Sequence, residues 1–170
     1  MIKLNLIKLR NEDINKFKKL MQESFQYGYE LVYGNNKEQV LPEKDIDENL
    51  NNPDSAAYEM IDNDEIIGGV IVTIDRKTNH NHLDFLFVKV GVQSKDIGQI
   101  IWKEIEKIYP DTKVWETCTP YFDKRNIHFY VNKLKFHIVE YFNENHPDTN
   151  RPLDCYEEDD GMFKFEKVMK

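Results

Sequence analysis

The sequence lacks any long hydrophobic segment. No run approaches the ~20 consecutive apolar residues that a helix needs to cross a bilayer. The N-terminus has no apolar core of the kind found in signal peptides, and the acidic residues Glu12 and Asp13 come early. We therefore expect a soluble, cytoplasmic protein with no membrane partner.

Positive charge is also scarce. The chain has 23 Lys and Arg residues against 31 Asp and Glu residues, which gives a formal net charge of −8. A protein that follows nucleic-acid phosphates needs clustered basic residues in excess. The composition therefore argues against nucleic acid as a partner and fits a small amine or a basic peptide better.

Cysteine is rare, and no metal-ligand pattern is present. Only Cys118 and Cys155 occur, and neither has a neighbour at metal-ligand spacing, so both are predicted to be reduced thiols. The five histidines form no H-x-x-x-H pair. The sequence therefore predicts no metal site.

What the chain does have is a regular succession of strand-like and helix-like segments. Its 170 residues fit a single domain, 1–170, without repeats or linkers. The periodicity of the apolar residues predicts the order β-α-(α)-β-β-β-α-β-α-β-β. Hairpins joined to β-α-β units predict an α/β (α+β) fold, in which helices cover both faces of a mixed, twisted sheet.

The apolar patterns also predict where each element lies. Helices are predicted to run from Asn11 or Asp13 through Phe25, from Gly98 to Pro110, and over two further ranges, 43–50 and 122–134. The predicted strands are 2–9, 56–62, 66–74, 83–90, 113–119, 136–142 and 162–168.

The segment 83–109 carries the clearest functional signal. An apolar strand passes through a short polar turn into an amphipathic helix that begins around Gly98. Such a turn directs several free backbone N–H groups and the positive end of the helix dipole at one point. This arrangement predicts a site for an anion, above all a pyrophosphate.

Two motifs resemble those of the GNAT superfamily of N-acetyltransferases. Gln93, Asp96 and Gly98 occupy the fixed positions of its Q/R-x-x-G-x-G/A loop, although Asp96 stands where the pattern prefers glycine. The segment N-I-H-F-Y-V-N-K-L-K-F begins at Asn126 and is similar to the signature N-x-x-F-Y-x-K-x-G-F, with Lys135 in place of glycine. The resemblance covers nearly the whole chain. It implies a mostly antiparallel sheet of about seven strands that splays between strands 4 and 5.

The resemblance implies that acetyl-coenzyme A is the cofactor and that its pantetheine arm lies in the splayed gap. Asn126 is expected to bind the pantetheine amides, and a backbone N–H near Val88 is expected to stabilise the oxyanion. Lys133 is either a phosphate partner or a solvated residue of the helix face. The predicted cofactor-binding residues are Phe87, Val88, Val90, Gln93, Ser94, Lys95, Asp96, Ile97, Gly98, Gln99, Asn126, Phe129 and Lys133.

Asp96 has two alternative arrangements. A carboxylate that faces the pyrophosphate would weaken binding by repulsion, although Lys95 could offset the charge. A carboxylate that points outward would instead cap the helix by accepting a hydrogen bond from its first turn. We expect the capping arrangement.

Acetyl transfer to an amine also needs an acid and a base. The resemblance implies that the Tyr130 hydroxyl lies near the thioester sulfur and can protonate the leaving thiolate. His82 and Asp84 are the main candidate bases, since residues two apart on a strand share a face, which we expect to be that of Leu86. Glu116 is a third candidate. Core packing for Tyr130 and an exposed turn for His82 are the alternatives.

The acceptor pocket is predicted from the segment 27–33 and from the loop before the last strand. Aromatic faces and a carboxylate suit a cationic amine. The predicted substrate-binding residues are Tyr27, Tyr29, Glu30, Tyr33 and Glu116.

The function that we expect is transfer of an acetyl group from acetyl-coenzyme A to a primary amine of a small molecule or peptide. The amine would attack directly within a ternary complex, since neither cysteine is expected at the thioester. A homodimer remains open. The alternative is a catalytically inactive coenzyme A-binding sensor or interaction module of the same fold.

Overall fold

The structure is a computed structural model in which residues 3–35, 37–92, 96–149 and 161–170 are described. Its strands form a seven-stranded sheet. They are β1 (Leu4–Lys8), β2 (Ser55–Asp62), β3 (Glu65–Thr73), β4 (His80–Val88), β5 (Val114–Pro120), β6 (His137–Phe142) and β7 (Met162–Val168).

Four α-helices accompany the sheet in the described ranges. A short 3-10 turn at Asn11–Asp13 leads into the first of them. The helices are α1 (Ile14–Tyr33), α2 (Glu43–Leu50), α3 (Ile97–Ile108) and α4 (Lys124–His128). The predicted order of strands and helices is therefore confirmed.

The strand order is β1-β2-β3-β4-β5-β7-β6, and the neighbours are antiparallel except for β4 and β5. These two parallel strands pair only over His80–His82 and Val114–Glu116. The Thr117 hydroxyl then donates to the carbonyl oxygen of Leu83 at 2.9 Å. Beyond this contact no pairing joins the described parts of the two strands, so the sheet forks, as the sequence predicts.

Apolar side chains of successive β3 residues point to opposite faces of the sheet and enter two separate clusters. Val70 and Val72 pack in the cluster that contains α3 and its buried Trp102. Ile71 packs instead with Phe17 of α1 in the cluster on the other face. Helices thus cover both faces, as predicted.

The helix α1 is longer than the apolar pattern indicates. It continues from Phe25 through Gly28 to Tyr33 and ends at Gly34, whose φ of 78° is a left-handed conformation typical of glycine after a helix. Gly28 therefore lies within the helix and does not end it. The tyrosines predicted to line the acceptor pocket are helical residues.

The strand β4 begins at His80, earlier than the predicted Leu83, and contains a β-bulge. Ile71 of β3 pairs with Phe85 and Val72 pairs with Leu83, so Asp84 is an extra residue in the ladder. The bulge changes the alternation of side chains along β4. It therefore decides which side chains of β4 lie on the same face of the sheet beside the fork.

Candidate active site

The chain that follows β5 forms a helix in two parts. Asp123 caps α4 by accepting a hydrogen bond from the backbone N–H of Asn126 at 3.1 Å. The helix then widens into a π turn over Phe129–Lys133, in which the N–H of Leu134 donates to the carbonyl of Phe129 at 2.9 Å. Single π turns are common at functional sites. The predicted helix 122–134 exists, but its second half is not α-helical.

A first cavity, which we call the α3–α4 cavity, has a volume of about 320 Å³ and lies beside the open end of the fork. Its wall combines α1, the end of β4, the start of α3 and the α4 segment. The lining residues are Ser24, Phe25, Tyr27, Gly28, Leu86, Phe87, Val88, Asp96, Gly98, Gln99, Asp123, Arg125, Asn126, His128, Phe129 and Lys133.

A glycine is needed where α3 begins. A Cβ on Gly98 would lie 2.8 Å from Cζ of Phe129, closer than real Cβ contacts allow. With glycine at this position, no side chain separates the start of α3 from the Phe129 ring. The backbone at the start of α3 can therefore approach the ring closely.

A second cavity, which we call the α2 cavity, has a volume of about 470 Å³ and lies on the face covered by α1 and α2. It shares Phe25, Leu86, Asp123 and Asn126 with the α3–α4 cavity. Its other lining residues are Tyr29, Val40, Leu41, Asp45, Asn49, His82, Asp84, Phe85, Cys118, Thr119, Pro120, Phe122, Tyr130 and Met162. The two cavities therefore meet at the fork, around Asn126.

The bulge carries a chain of polar contacts inside the α2 cavity. The Thr73 hydroxyl donates to Oδ2 of Asp84 at 2.6 Å, and Oδ1 of Asp84 contacts Nδ1 of His82 at 2.9 Å. The side chain of Cys118 lies near the same imidazole. Burial lowers the pKa of His82, but the hydrogen bonds and charges of Asp84 and Cys118 outweigh it and raise the pKa to about 9.

Tyr130 is both a core residue and a wall of the α2 cavity. Its side chain is 6% exposed, and its ring lies 5.6 Å from that of Phe165. The hydroxyl is hydrogen-bonded to Thr117, at the point where the fork opens. Burial raises the pKa of Tyr130 far above its ordinary value, so the hydroxyl stays protonated at neutral pH.

A family model described as the acetyltransferase (GNAT) family matches residues 15–136. The chain belongs to this family. It is also 40% identical over 168 residues to the uncharacterized protein YrkN of Bacillus subtilis (strain 168), covering 95% of this chain and 91% of that protein. The family and the fold together support acyl transfer as the general activity.

Solved structures share the GNAT fold at low sequence identity. The PaiA N-acetyltransferase of Thermoplasma acidophilum, crystallised with coenzyme A, superposes with a TM-score of 0.69 at 19% identity, covering 98% of this chain and 99% of that one. The IAA acetyltransferase of Bacillus cereus ATCC 14579 gives a TM-score of 0.71 at 14% identity, covering 98% and 100%. These likenesses show the fold.

The GNAT resemblance selected residues on both sides of the fork, and the structure brings many of them together. The predicted cofactor-binding residues that line the α3–α4 cavity are Phe87, Val88, Asp96, Gly98, Gln99, Asn126, Phe129 and Lys133. Gln93, Ser94 and Lys95 lie outside the described residues, as does Cys155. Of the predicted glycine loop, the structure therefore describes only Asp96 and the residues after it.

Asp96 does not cap α3 as predicted. It stands at the N-cap position, but its side chain accepts no hydrogen bond from the backbone of the first turn. Its carboxylate instead accepts a hydrogen bond from Nε2 of Gln99 at 3.2 Å. Its φ of 56° is left-handed, and a β-region backbone is the usual geometry for a capping side chain.

Three other predicted cofactor contacts lie partly or wholly elsewhere. The Phe87 ring is 2% exposed and packs edge-on against Phe17 at 5.2 Å, so its side chain belongs mainly to the core. The Ile97 side chain is buried in the cluster around α3. Val90 lies on a separate groove beside the middle of α1 and the connection to α2.

The predicted base candidates do share a face, but the bulge makes it the face opposite to that of Leu86. Thr73, whose hydroxyl binds Asp84, lies on the same side of β3 as Ile71. Leu86 packs against the α3 cluster instead. The predicted common face is therefore wrong, because a bulge inverts the alternation beyond it.

The predicted acceptor residues are dispersed. Tyr29 lines the α2 cavity, where its ring contacts Phe122 at 5.5 Å, whereas Tyr27 lines the α3–α4 cavity. Tyr33, Glu30 and Glu116 lie outside the described lining of the α2 cavity. Tyr33 packs on Tyr29, Glu30 accepts a hydrogen bond from Gln26, and Glu116 pairs with Lys164 at 3.5 Å.

Sequence reasoning missed most of the lining of the α2 cavity, including the polar residues Asp45 and Asn49 and the thiol of Cys118. Asp45 and Asn49 stand four residues apart, so they share a helix face, but the sequence does not indicate what that face meets. Cys118 alternates with buried residues on β5, which places it on the His82 side.

The described residues contain no group of three or more His, Cys, Asp or Glu side chains arranged to hold a metal ion. Within the same described ranges, no helix combines the length and the apolar character needed to cross a membrane.

Proposed function

We propose that the protein transfers the acetyl group of acetyl-coenzyme A to a primary amine of a small molecule, with a peptide amine as the second choice of acceptor. Membership of the GNAT family supports acyl transfer, and the PaiA enzyme of the same fold was crystallised with coenzyme A. The carrying observation is that two cavities meet at the fork around Asn126.

The residues of the α3–α4 cavity fit the cofactor. The absence of a Cβ at Gly98 leaves the start of α3 open, and helix termini of this kind bind phosphate groups. Asn126 lines both cavities and can bind amides of an extended arm that passes between them. Acetyl-coenzyme A supplies an activated thioester when bound, and the chain's own residues orient it.

The His82–Asp84 pair is suited to take the proton of the amine. An alkyl ammonium has a pKa near 10.4, so a base with a pKa of about 9 is closely matched to it. Asp84 holds Nδ1 of the imidazole, which leaves Nε2 to exchange the proton. The protonated hydroxyl of Tyr130 can donate to the departing thiolate. The amine attacks directly while both substrates are bound.

A second candidate is a coenzyme A-binding module without catalysis. The observation that favours it is the Asp96 carboxylate at the N-terminus of α3, where an anionic ligand would meet a negative charge. This reading keeps the fold and the cofactor cavity but assigns no role to the His82–Asp84 pair.

Titration calorimetry with acetyl-coenzyme A, paired with a thiol-release assay over a panel of primary amines, tests both. We expect saturable binding and amine-dependent release of the coenzyme A thiol. Binding without release for any amine would select the module. Absence of binding would contradict both candidates. His82→Ala is the matched variant, since it should keep binding and lose turnover.

A further inference from the structure

The helix α2 presents two polar faces of different character. Glu43 and Asp47 point toward α1, where Nζ of Lys18 binds them at 2.7 and 2.8 Å. Asp45 and Asn49 instead line the α2 cavity. The carboxylates on one face of the helix are thus paired with a lysine of α1, whereas the polar groups on the other face line an open volume.

The groups on the cavity side have no partners in the described part of the chain. The Asp45 carboxylate has no ion pair or hydrogen bond there. Oδ1 of Asn49 is buried and also lacks a hydrogen-bond partner. A buried acceptor without a donor costs free energy, and such groups are rare unless a ligand or water satisfies them. Asp45 is exposed and lies four residues before Asn49, on the same helix face, so both can offer oxygen acceptors to an N–H donor, and a carboxylate favours a cation.

The cavity is long enough for a ligand with two functional ends. The helix α2 packs over β2, whereas His82 and Asp84 lie on β4. Strand β3 lies between β2 and β4, so the two polar groups stand at different ends of the cavity. Phe25, Leu41 and Phe122 give the wall an apolar and aromatic character.

We propose that the acceptor is a diamine. Its reacting amine lies at the His82–Asp84 pair, and its second, protonated amine binds Asp45 and Asn49. The alkyl chain between the two amines lies along the apolar and aromatic wall, so that each amine reaches its own polar group. This inference rests on the proposed function, because it names the acceptor class for the same site.

Acetylation kinetics of a linear α,ω-diamine and of the monoamine with the same number of carbons test the inference. For the unmodified protein, we expect kcat/KM for the diamine to be at least about tenfold higher, from one charge-assisted hydrogen-bond pair. In Asp45→Asn and Asn49→Leu, we expect the diamine-to-monoamine ratio to fall about tenfold, mainly through a higher KM for the diamine.

Glu48→Gln is the matched control. It removes a carboxylate from the same helix at an exposed position, where Glu48 lies 3.8 Å from Lys44. Its ratio should equal that of the unmodified protein, and thermal unfolding of all three variants checks that they fold. A ratio that stays constant in both cavity variants, or falls equally in Glu48→Gln, overturns the inference.

The outcomes separate the two proposals. Acetylation of monoamines and diamines with equal kcat/KM would contradict the diamine inference and leave the proposed function intact. Failure of every amine would contradict the proposed function itself, and the diamine inference with it.

Discussion

The two cavities that meet at the fork are built in different ways. The α3–α4 cavity depends on a missing side chain at Gly98, on the ring of Phe129 and on backbone at a helix terminus. The α2 cavity is lined by titratable side chains, including His82 and Asp84. Close backbone approach at a helix terminus suits the phosphates of a cofactor, whereas a hydrogen-bonded pair such as His82 and Asp84 suits proton exchange with an acceptor.

The strongest test of this contrast is steric. Gly98→Trp should abolish coenzyme A binding, because even a Cβ there meets the Phe129 ring at 2.8 Å. Calorimetric titration measures the loss, and circular dichroism checks the fold. If the tryptophan variant does not fold, Gly98→Ala serves in its place and should weaken binding about tenfold.

Gly28→Ala is the control for this test. Gly28 lines the same cavity, yet nothing lies within 4 Å of its Cβ position, so binding should be kept. Equal affinities in the Gly98 and Gly28 variants would mean that the cofactor does not approach the start of α3.

Removing the Tyr130 hydroxyl tests the acid. Tyr130→Phe should lower kcat by roughly 10²–10⁴-fold, the usual range for general acid catalysis, with little change in cofactor affinity. Steady-state kinetics and calorimetry separate the two effects. Tyr109→Phe is the control, because it removes a hydroxyl that pairs with Tyr58 at 2.7 Å outside both cavities. An unchanged kcat for Tyr130→Phe would exclude this hydroxyl as the acid.

The pH dependence tests the base. Unprotonated His82 is required, so kcat/KM should rise with pH up to about 9, the pKa of His82. Asp84→Asn removes the main group that raises this pKa and leaves burial, which lowers it. The rise should therefore move to lower pH. Two other titratable groups face His82: Glu116, which pairs with it in register, and Cys118. Both are present in the unmodified protein and in Asp84→Asn.

The free energy of unfolding should also depend on the protonation of His82. The folded pKa of about 9 exceeds the ordinary value of 6.5, so the stabilisation is complete below pH 6.5 and is lost as the pH rises through 9. Thermal unfolding across this range measures it, and Asp84→Asn should flatten the profile. Glu140→Gln is the control. It breaks the exposed His146–Glu140 contact of 2.8 Å and should leave the dependence of kcat/KM on pH unchanged.

The smallest expected effect comes from the two positions where the family pattern has glycine. Asp96 and Lys135 have φ values of 56° and 67°, and left-handed backbone is costly for residues with a Cβ. Asp96→Gly and Lys135→Gly should each stabilise the fold by up to about 1 kcal/mol in denaturant unfolding. Only Asp96→Gly should also tighten cofactor binding, since it removes a carboxylate from the cavity. Equal affinities in both variants would contradict repulsion by Asp96.

Sequence patterns predicted the elements well where local physics decides them. The apolar spacing of Ile100, Ile101, Ile105 and Ile108 predicted α3, and the hairpin of β2 and β3 follows from alternation and its turn. The resemblance also located Asn126 and Gly98 on one cavity. These features depend on residues that are close in the chain.

Features that depend on tertiary contacts were not predicted. The bulge at Asp84 is set by pairing with β3, so simple alternation assigned the wrong face. The first residues of β4 are polar, and the parallel pairing with β5 makes them a strand. The α2 cavity combines Asp45 and Asn49 of α2 with Cys118 of β5, and no local pattern connects these two segments.

The short pairing of β4 with β5 gives the molecule a line of mechanical weakness. Strands β1 to β4 form one plate and β5 to β7 form another. Within the described residues the ladder between the plates has three register pairs, and the side-chain bonds of Thr117 to Leu83 and of Asn81 to Thr112 lie beside it. Rotation of the plates about this seam would change the width of the gap between β4 and β5 and would break few backbone hydrogen bonds. One apolar cluster contains Leu83 of the first plate together with Trp115 and Phe165 of the second, so side-chain packing holds the plates together where the ladder is short.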